Sequence, residues 1–237
     1  MLTPRDRLIV ALDVSSAAAA RKIVAAVGES VSTFKVGMQL YTAEGPSLVR
    51  ELVDAGRKVF LDLKYHDIPN TVASAVKEAA GLGVSMLTVH ASGGSKMLRG
   101  AVGAAAVNPS LMVLAVSVLT SMDESDLHEI NVPGTVEKQV LALAKSALES
   151  GCQGLVSSAK EAPALRAAYG DKFILVTPGV RPAGVEHGDQ SRVVTPAQAI
   201  AAGASHIVVG RPVTAAQNPE STARDVLEEI STEVAVH

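Results

Sequence analysis

Short apolar runs recur along the chain, each followed by a stretch with helical spacing. Leu8 to Leu12 is the first, ending at Asp13, and Ser15 or Ser16 can cap the alanine-rich helix that follows to about Val27. Thr33 to Gly37 is a short strand carrying Lys35, and a helix is predicted from about Thr42 to Ala55, with Gly56 at its C-terminal end. The run Val59-Phe60-Leu61 leads directly into Asp62 and Lys64, and Pro69 opens a helix to Leu82. Further strands are predicted over Val84–His90, Leu111–Val118, Gly154–Ser157, Phe173–Thr177 and Ser205–Val209. Between them lie helices after Gly94, over Glu124–Glu129, Val136–Ser150, Lys160–Tyr169 and Pro196–Ala202, with a last one capped at Asn218-Pro219.

Eight strand–helix alternations with continuously apolar strands indicate parallel strands covered on both faces. They close most simply into a (β/α)8 TIM barrel, one catalytic domain over residues 1–237. A doubly wound open sheet is the competing architecture, but the turn after the first strand reads LDVSS, without the glycines of a dinucleotide loop.

Composition narrows the class. Apolar residues make up 48% of the chain, enough for a large core, yet no run reaches the roughly 18 residues of a membrane span. The start, MLTPRDRLIVALDV, shows no cleavable signal pattern, so a soluble cytoplasmic protein is expected. A net charge of −3 with no Trp, three Tyr and three Phe speaks against a nucleic-acid surface. The lone Cys152 excludes an internal disulfide and reads as a small buried side chain. The six histidines show no HxH or HExxH spacing, and no metal site is expected.

In a barrel the chemistry gathers at the carboxyl ends of the strands. Asp13, Lys35, Asp62 with Lys64, His90, Thr120, Ser157 and Gly210 with Arg211 all fall there. Strand ends are often simply wet, but Lys35 and Lys64 sit within or just past apolar runs and would have to be desolvated or paired with a carboxylate. Alternation along a strand puts Asp62 and Lys64 on one face. Asp67 follows on the loop before the helix. A second gathering lies after strands seven and eight, where barrels often bind phosphate. Arg181 and Gln190 lie on a long loop of about 17 residues, which suggests a lid, while Gly210 and Arg211 offer a bare N–H and a planar fork of donors. His90 is equally readable as a structural histidine and is left outside the site; His66 reads as a loop or interface residue.

These residues resemble the orotidine 5′-phosphate decarboxylase family, in its compact bacterial group, over essentially the whole chain. FLDLKYHDIPNTV (Phe60–Val72) carries the family's Asp-x-Lys-x-x-Asp on Asp62, Lys64 and Asp67. ALDV (Ala11–Val14), FKVG (Phe34–Gly37), TVHASGG (Thr88–Gly94), LTS (Leu119–Ser121), TPGVRP (Thr177–Pro182), DQSRVVTP (Asp189–Pro196) and VVGRP (Val208–Pro212) follow in the family's order. The resemblance implies decarboxylation of orotidine 5′-monophosphate to uridine 5′-monophosphate without metal or cofactor. It implies Lys64 as the proton donor, Asp62 beside the substrate carboxylate, and Lys35 and Asp13 at the ribose. Thr120 would meet the pyrimidine, and Arg181, Gln190, Gly210 and Arg211 the phosphate. It also implies a homodimer with shared sites, to which the neighbouring subunit brings Asp67 and Thr71.

The chemistry agrees with the residues. Loss of carbon dioxide from a pyrimidine C6 leaves a carbanion with no adjacent electron sink, so an ammonium held where that charge develops is the protein's remaining lever. Two alternatives stay open: a Mg2+-dependent sugar-phosphate lyase or aldolase of a related barrel group, and a non-catalytic barrel that senses a nucleotide or sugar phosphate.

Overall fold

The computed structural model describes residues 2–182 and 194–234. Among them eight parallel strands form a closed barrel in sequence order: β1 (Leu8–Ala11), β2 (Thr33–Gly37), β3 (Lys58–Tyr65), β4 (Met86–His90), β5 (Met112–Val116), β6 (Gly154–Val156), β7 (Ile174–Thr177) and β8 (His206–Val209). β8 pairs back onto β1, which closes the sheet and leaves no edge strand. The (β/α)8 expectation is therefore borne out, and the open sheet is excluded.

Apolar side chains divide by pleat. Ile9, Ala11, Phe60, Met86, Leu114, Val176 and Val208 fill the barrel interior. Their neighbours one position along, such as Leu8, Val10, Leu61, Leu87 and Leu175, join a larger core between the strands and the surrounding helices. Burial on both faces explains why the strands read as unbroken apolar runs. No helix among the described residues is long and apolar enough to cross a membrane.

Helix starts follow their caps. Ser16 accepts from the Ala19 N–H, Thr135 from Lys138, and Thr195 and Gln198 form a reciprocal capping box at the helix Pro196–Ala201. One expected helix is corrected. The continuous Thr42–Ala55 helix is instead two, Met38–Glu44 and Pro46–Asp54. Gly45, at φ +66°, ends the first, and Pro46 opens the second, because its ring disfavours helical geometry in the residue before it. Two short helices, Pro4–Arg7 and Arg211–Thr214, escaped the sequence reading, being only a turn each.

β3 carries the largest irregularity. Its pairing with β4 runs from Leu61↔Leu87 to Tyr65↔Val89, so four residues of β3 advance against two of β4. Inside that bulge Lys64 takes φ +51°, in the left-handed region a side-chain-bearing residue enters rarely.

Candidate active site

At the carboxyl ends of β1, β2 and β3 four charges alternate in sign. The Lys35 ammonium donates to Asp13 Oδ1 at 2.8 Å and lies 3.7 Å from Asp62 Oδ2. The Lys64 ammonium donates to both Asp62 oxygens, each at 2.9 Å. Asp62 is buried, and the Lys35 and Asp62 side chains are each only 12% exposed. Charges that far from water persist when paired and hydrogen-bonded, and removing one partner strands the other at a penalty of roughly 3–5 kcal/mol. Asp62 and Lys64 do share a face, but through the left-handed bulge at Lys64 rather than plain alternation along a flat strand.

Thr88, at the middle of β4, was not singled out from sequence. Fully buried, its hydroxyl donates to Asp62 Oδ1 at 2.9 Å and accepts the Lys64 backbone N–H at 2.8 Å. Its signals were its place at the head of the motif TVHASGG and a hydroxyl among the apolar residues of β4, and threonine is so ordinary in strands that neither suggested a role.

Two adjoining hollows share the wall formed by Lys35, Asp62, Pro178 and Val208. One, of about 470 Å³, is also lined by Asp13, Arg181, Gly210 and Arg211. The other, of about 150 Å³, takes in Lys64 and Thr120 and is otherwise mostly apolar, with Phe60, Val116, Val118 and Val156 in its walls. A compartment carrying two arginines and a mostly apolar one thus meet at the charge network. That division suits a ligand with an anionic tail and a less polar head. Arg181 is buried and Arg211 exposed. Gln190 lies outside the described residues, as does most of the expected lid. The ends of that loop are nevertheless joined by a parallel bridge between Val180 and Val194 and by the Arg181 N–H donating to the Val194 carbonyl at 3.0 Å.

Within the chain, Asp67 and Thr71 stand apart from this network. Both are exposed, and the Asp67 carboxylate turns back to accept the Ile68 N–H at 2.6 Å. His90 stacks on His66 with ring centres 5.3 Å apart, and its Nδ1 is 2.7 Å from the Ser92 hydroxyl. Burial first, then the neighbouring His66 and Lys64, pushes His90 below its ordinary pKa. Ser157 is buried against the Ser117 hydroxyl, which donates to it at 3.1 Å. Cys152 is buried, and desolvation pushes its thiol up to about 12, the setting of an inert core residue.

A larger hollow, about 710 Å³, lies among Asp123, Glu124, Thr135, Glu137, Lys160 and Glu161. Its predominantly acidic lining has the wrong sign for a phosphate. Among the described residues no three His, Cys, Asp or Glu side chains gather as a metal site would require.

The profile of the family described as "Orotidine 5'-phosphate decarboxylase / HUMPS family" matches residues 6–226. The chain belongs to this family. Among curated relatives, a protein from Moorella thermoacetica named orotidine 5'-phosphate decarboxylase is 48% identical over 233 residues, covering 95% of this chain and 92% of that protein. One of the same name from Afipia carboxidovorans is 51% identical over 228 residues, covering 96% of each. The crystal structure of orotidine 5'-phosphate decarboxylase from Lactobacillus acidophilus superposes with a TM-score of 0.84 at 40% identity, covering 94% of this chain and 98% of that one. The family read from the motifs is thus borne out.

Proposed function

We propose that this member of the orotidine 5′-phosphate decarboxylase family converts orotidine 5′-monophosphate to uridine 5′-monophosphate and carbon dioxide, the last step of de novo pyrimidine synthesis, without metal or cofactor. The observation that carries the reading is the Asp62–Lys64 pair, placed where an apolar compartment meets an arginine-lined one. The pyrimidine lies in the apolar compartment against Thr120, with its C6 carboxylate toward Asp62 and Lys64. The C6–carboxylate bond breaks, its electron pair stays on C6, and the Lys64 ammonium delivers a proton there, leaving a neutral amine. The ammonium is already in place, so little reorganisation accompanies the appearance of negative charge. Asp62 presses its own charge against the substrate carboxylate, and Lys35 and Asp13 hold the ribose. Arg181, Gln190, Gly210 and Arg211 bind the phosphate, whose distance from C6 lets its binding energy position the base.

The functional unit is a homodimer in which Asp67 and Thr71 complete the neighbour's site. The exposure of His66 through Thr71, with Ile68 66% exposed, supports a surface that a second copy covers. The metal-free reading is supported by Asp62 itself, whose two oxygens are committed to Lys64 and Thr88.

The test is spectroscopic. Incubation with orotidine 5′-monophosphate lowers its ultraviolet absorbance as uridine 5′-monophosphate forms, at a rate unchanged by excess EDTA. No change in absorbance would sink the proposal in favour of a sensor. Activity that EDTA abolishes would point to the metal-dependent lyase alternative.

A further inference from the structure

Three features of Thr88 converge. It is fully buried beneath the charge network, it bonds to both catalytic candidates at once, and it faces the irregular part of β3. We propose that Thr88 is a positioning residue: its hydroxyl locks the bulge of β3 and thereby aims the Lys64 ammonium and fixes the rotamer of Asp62. The inference rests on the reading of Lys64 as proton donor.

A hydroxyl is suited to this because it donates once and accepts through its lone pairs. The Lys64 N–H occupies the acceptor side, where the register shift interrupts the β3–β4 ladder and Lys64 adopts φ +51°. The proton side goes to Asp62 Oδ1, which also accepts from the Lys64 ammonium. The backbone and the side-chain end of Lys64 are thus referred to one rigid point on the neighbouring strand. Branching at Cβ restricts the χ1 of threonine, so the hydroxyl has few other places to go. Without it, a left-handed lysine at a strand end would relax, and the ammonium would move relative to C6 while the distant phosphate contacts stayed intact.

Thr88→Val keeps the shape and removes both bonds. In the full-length enzyme it lowers kcat by about tenfold to a hundredfold, the range expected for hydrogen bonds to a charged group. The KM for orotidine 5′-monophosphate and the affinity for uridine 5′-monophosphate change by no more than about twofold. Thr88→Ser restores the hydroxyl and recovers most of the lost kcat. Circular dichroism and nucleotide binding establish that each variant is folded, and Thr88→Ala replaces the valine variant if that one does not fold. Wild-type kcat in Thr88→Val, a serine variant as impaired as valine, or a loss confined to nucleotide affinity would each overturn the inference. Lys64→Ala separates the two claims: if it retains turnover the proton-donor reading fails, whereas an inactive Lys64→Ala beside a fully active Thr88→Val refutes only the role of Thr88.

Discussion

Lys64 combines a strained backbone with a side chain held by two bonds to one carboxylate. A non-glycine residue at φ +51° persists where its surroundings over-determine it, and such residues concentrate at functional sites. Replacing it by alanine removes the proton and the charge but leaves the arginine-lined compartment untouched. Lys64→Ala should therefore lower kcat by at least about a thousandfold, combining the usual worth of general-acid and electrostatic assistance. Binding of uridine 5′-monophosphate, followed by calorimetry, should remain measurable; turnover near the wild-type level would remove Lys64 from the role assigned to it. The identity of this residue was legible in sequence, because a lysine just beyond an apolar run demands a partner. Its geometry was not. Period-two alternation predicts which face a side chain takes on a regular strand, and it has no means of registering a bulge.

At the scale of elements, strand and helix positions were readable because burial on both faces leaves unbroken apolar runs and because helices such as those after Ser16 and Thr135 begin at a side-chain cap. The Gly45-Pro46 break was legible as a glycine–proline pair, which punctuates helices, but the expected helix ran across it because apolar spacing was weighted above that signal. Gly154, at the start of β6, illustrates another constraint that pattern reading passes over. A Cβ there would press on the Ile174 carbonyl of β7 and lie 2.8 Å from the Leu114 side chain of β5. A strand carbonyl in a closed barrel has little freedom to retreat, so Gly154→Ala should destabilise the fold by about 1–3 kcal/mol, as overpacking commonly does. Urea denaturation would register this as a lower midpoint with an unchanged slope. An unaltered midpoint would mean that the β6–β7 pairing yields more easily than the contacts suggest.

Across the whole molecule, the two ends of the barrel handle charge differently. The carboxyl end collects the paired charges of the candidate site, whereas the opposite end buries His206 of β8, whose Nδ1 has no hydrogen-bond partner. Desolvation, then Arg7 and Lys58, pushes its pKa down to about 4 from an ordinary 6.5, against an opposing pull from Asp6. Between those values the unfolded chain takes up a proton that the folded chain refuses. Stability contributed by the neutral ring is complete above about pH 6.5 and is lost as pH falls toward 4, on the order of 3 kcal/mol in all. His206→Gln should flatten unfolding free energy measured across that window, and identical slopes in the two proteins would exclude His206 as the source. The proposed dimer gives the widest-ranging prediction. If each site combines Lys64 of one subunit with Asp67 of the other, homodimers of Lys64→Ala and of an inactivating Asp67→Ala are each impaired at both sites. A mixed dimer places both lesions in one site and leaves the other intact. Random exchange makes half of the dimers mixed, each with one of two sites restored, so mixing equal amounts should recover about a quarter of wild-type specific activity. Recovery should follow the subunit-exchange rate and disappear when exchange is blocked by crosslinking. Failure to regain activity, with mixed dimers demonstrated by mass spectrometry, would place Lys64 and Asp67 in the same subunit's site or remove Asp67 from it altogether.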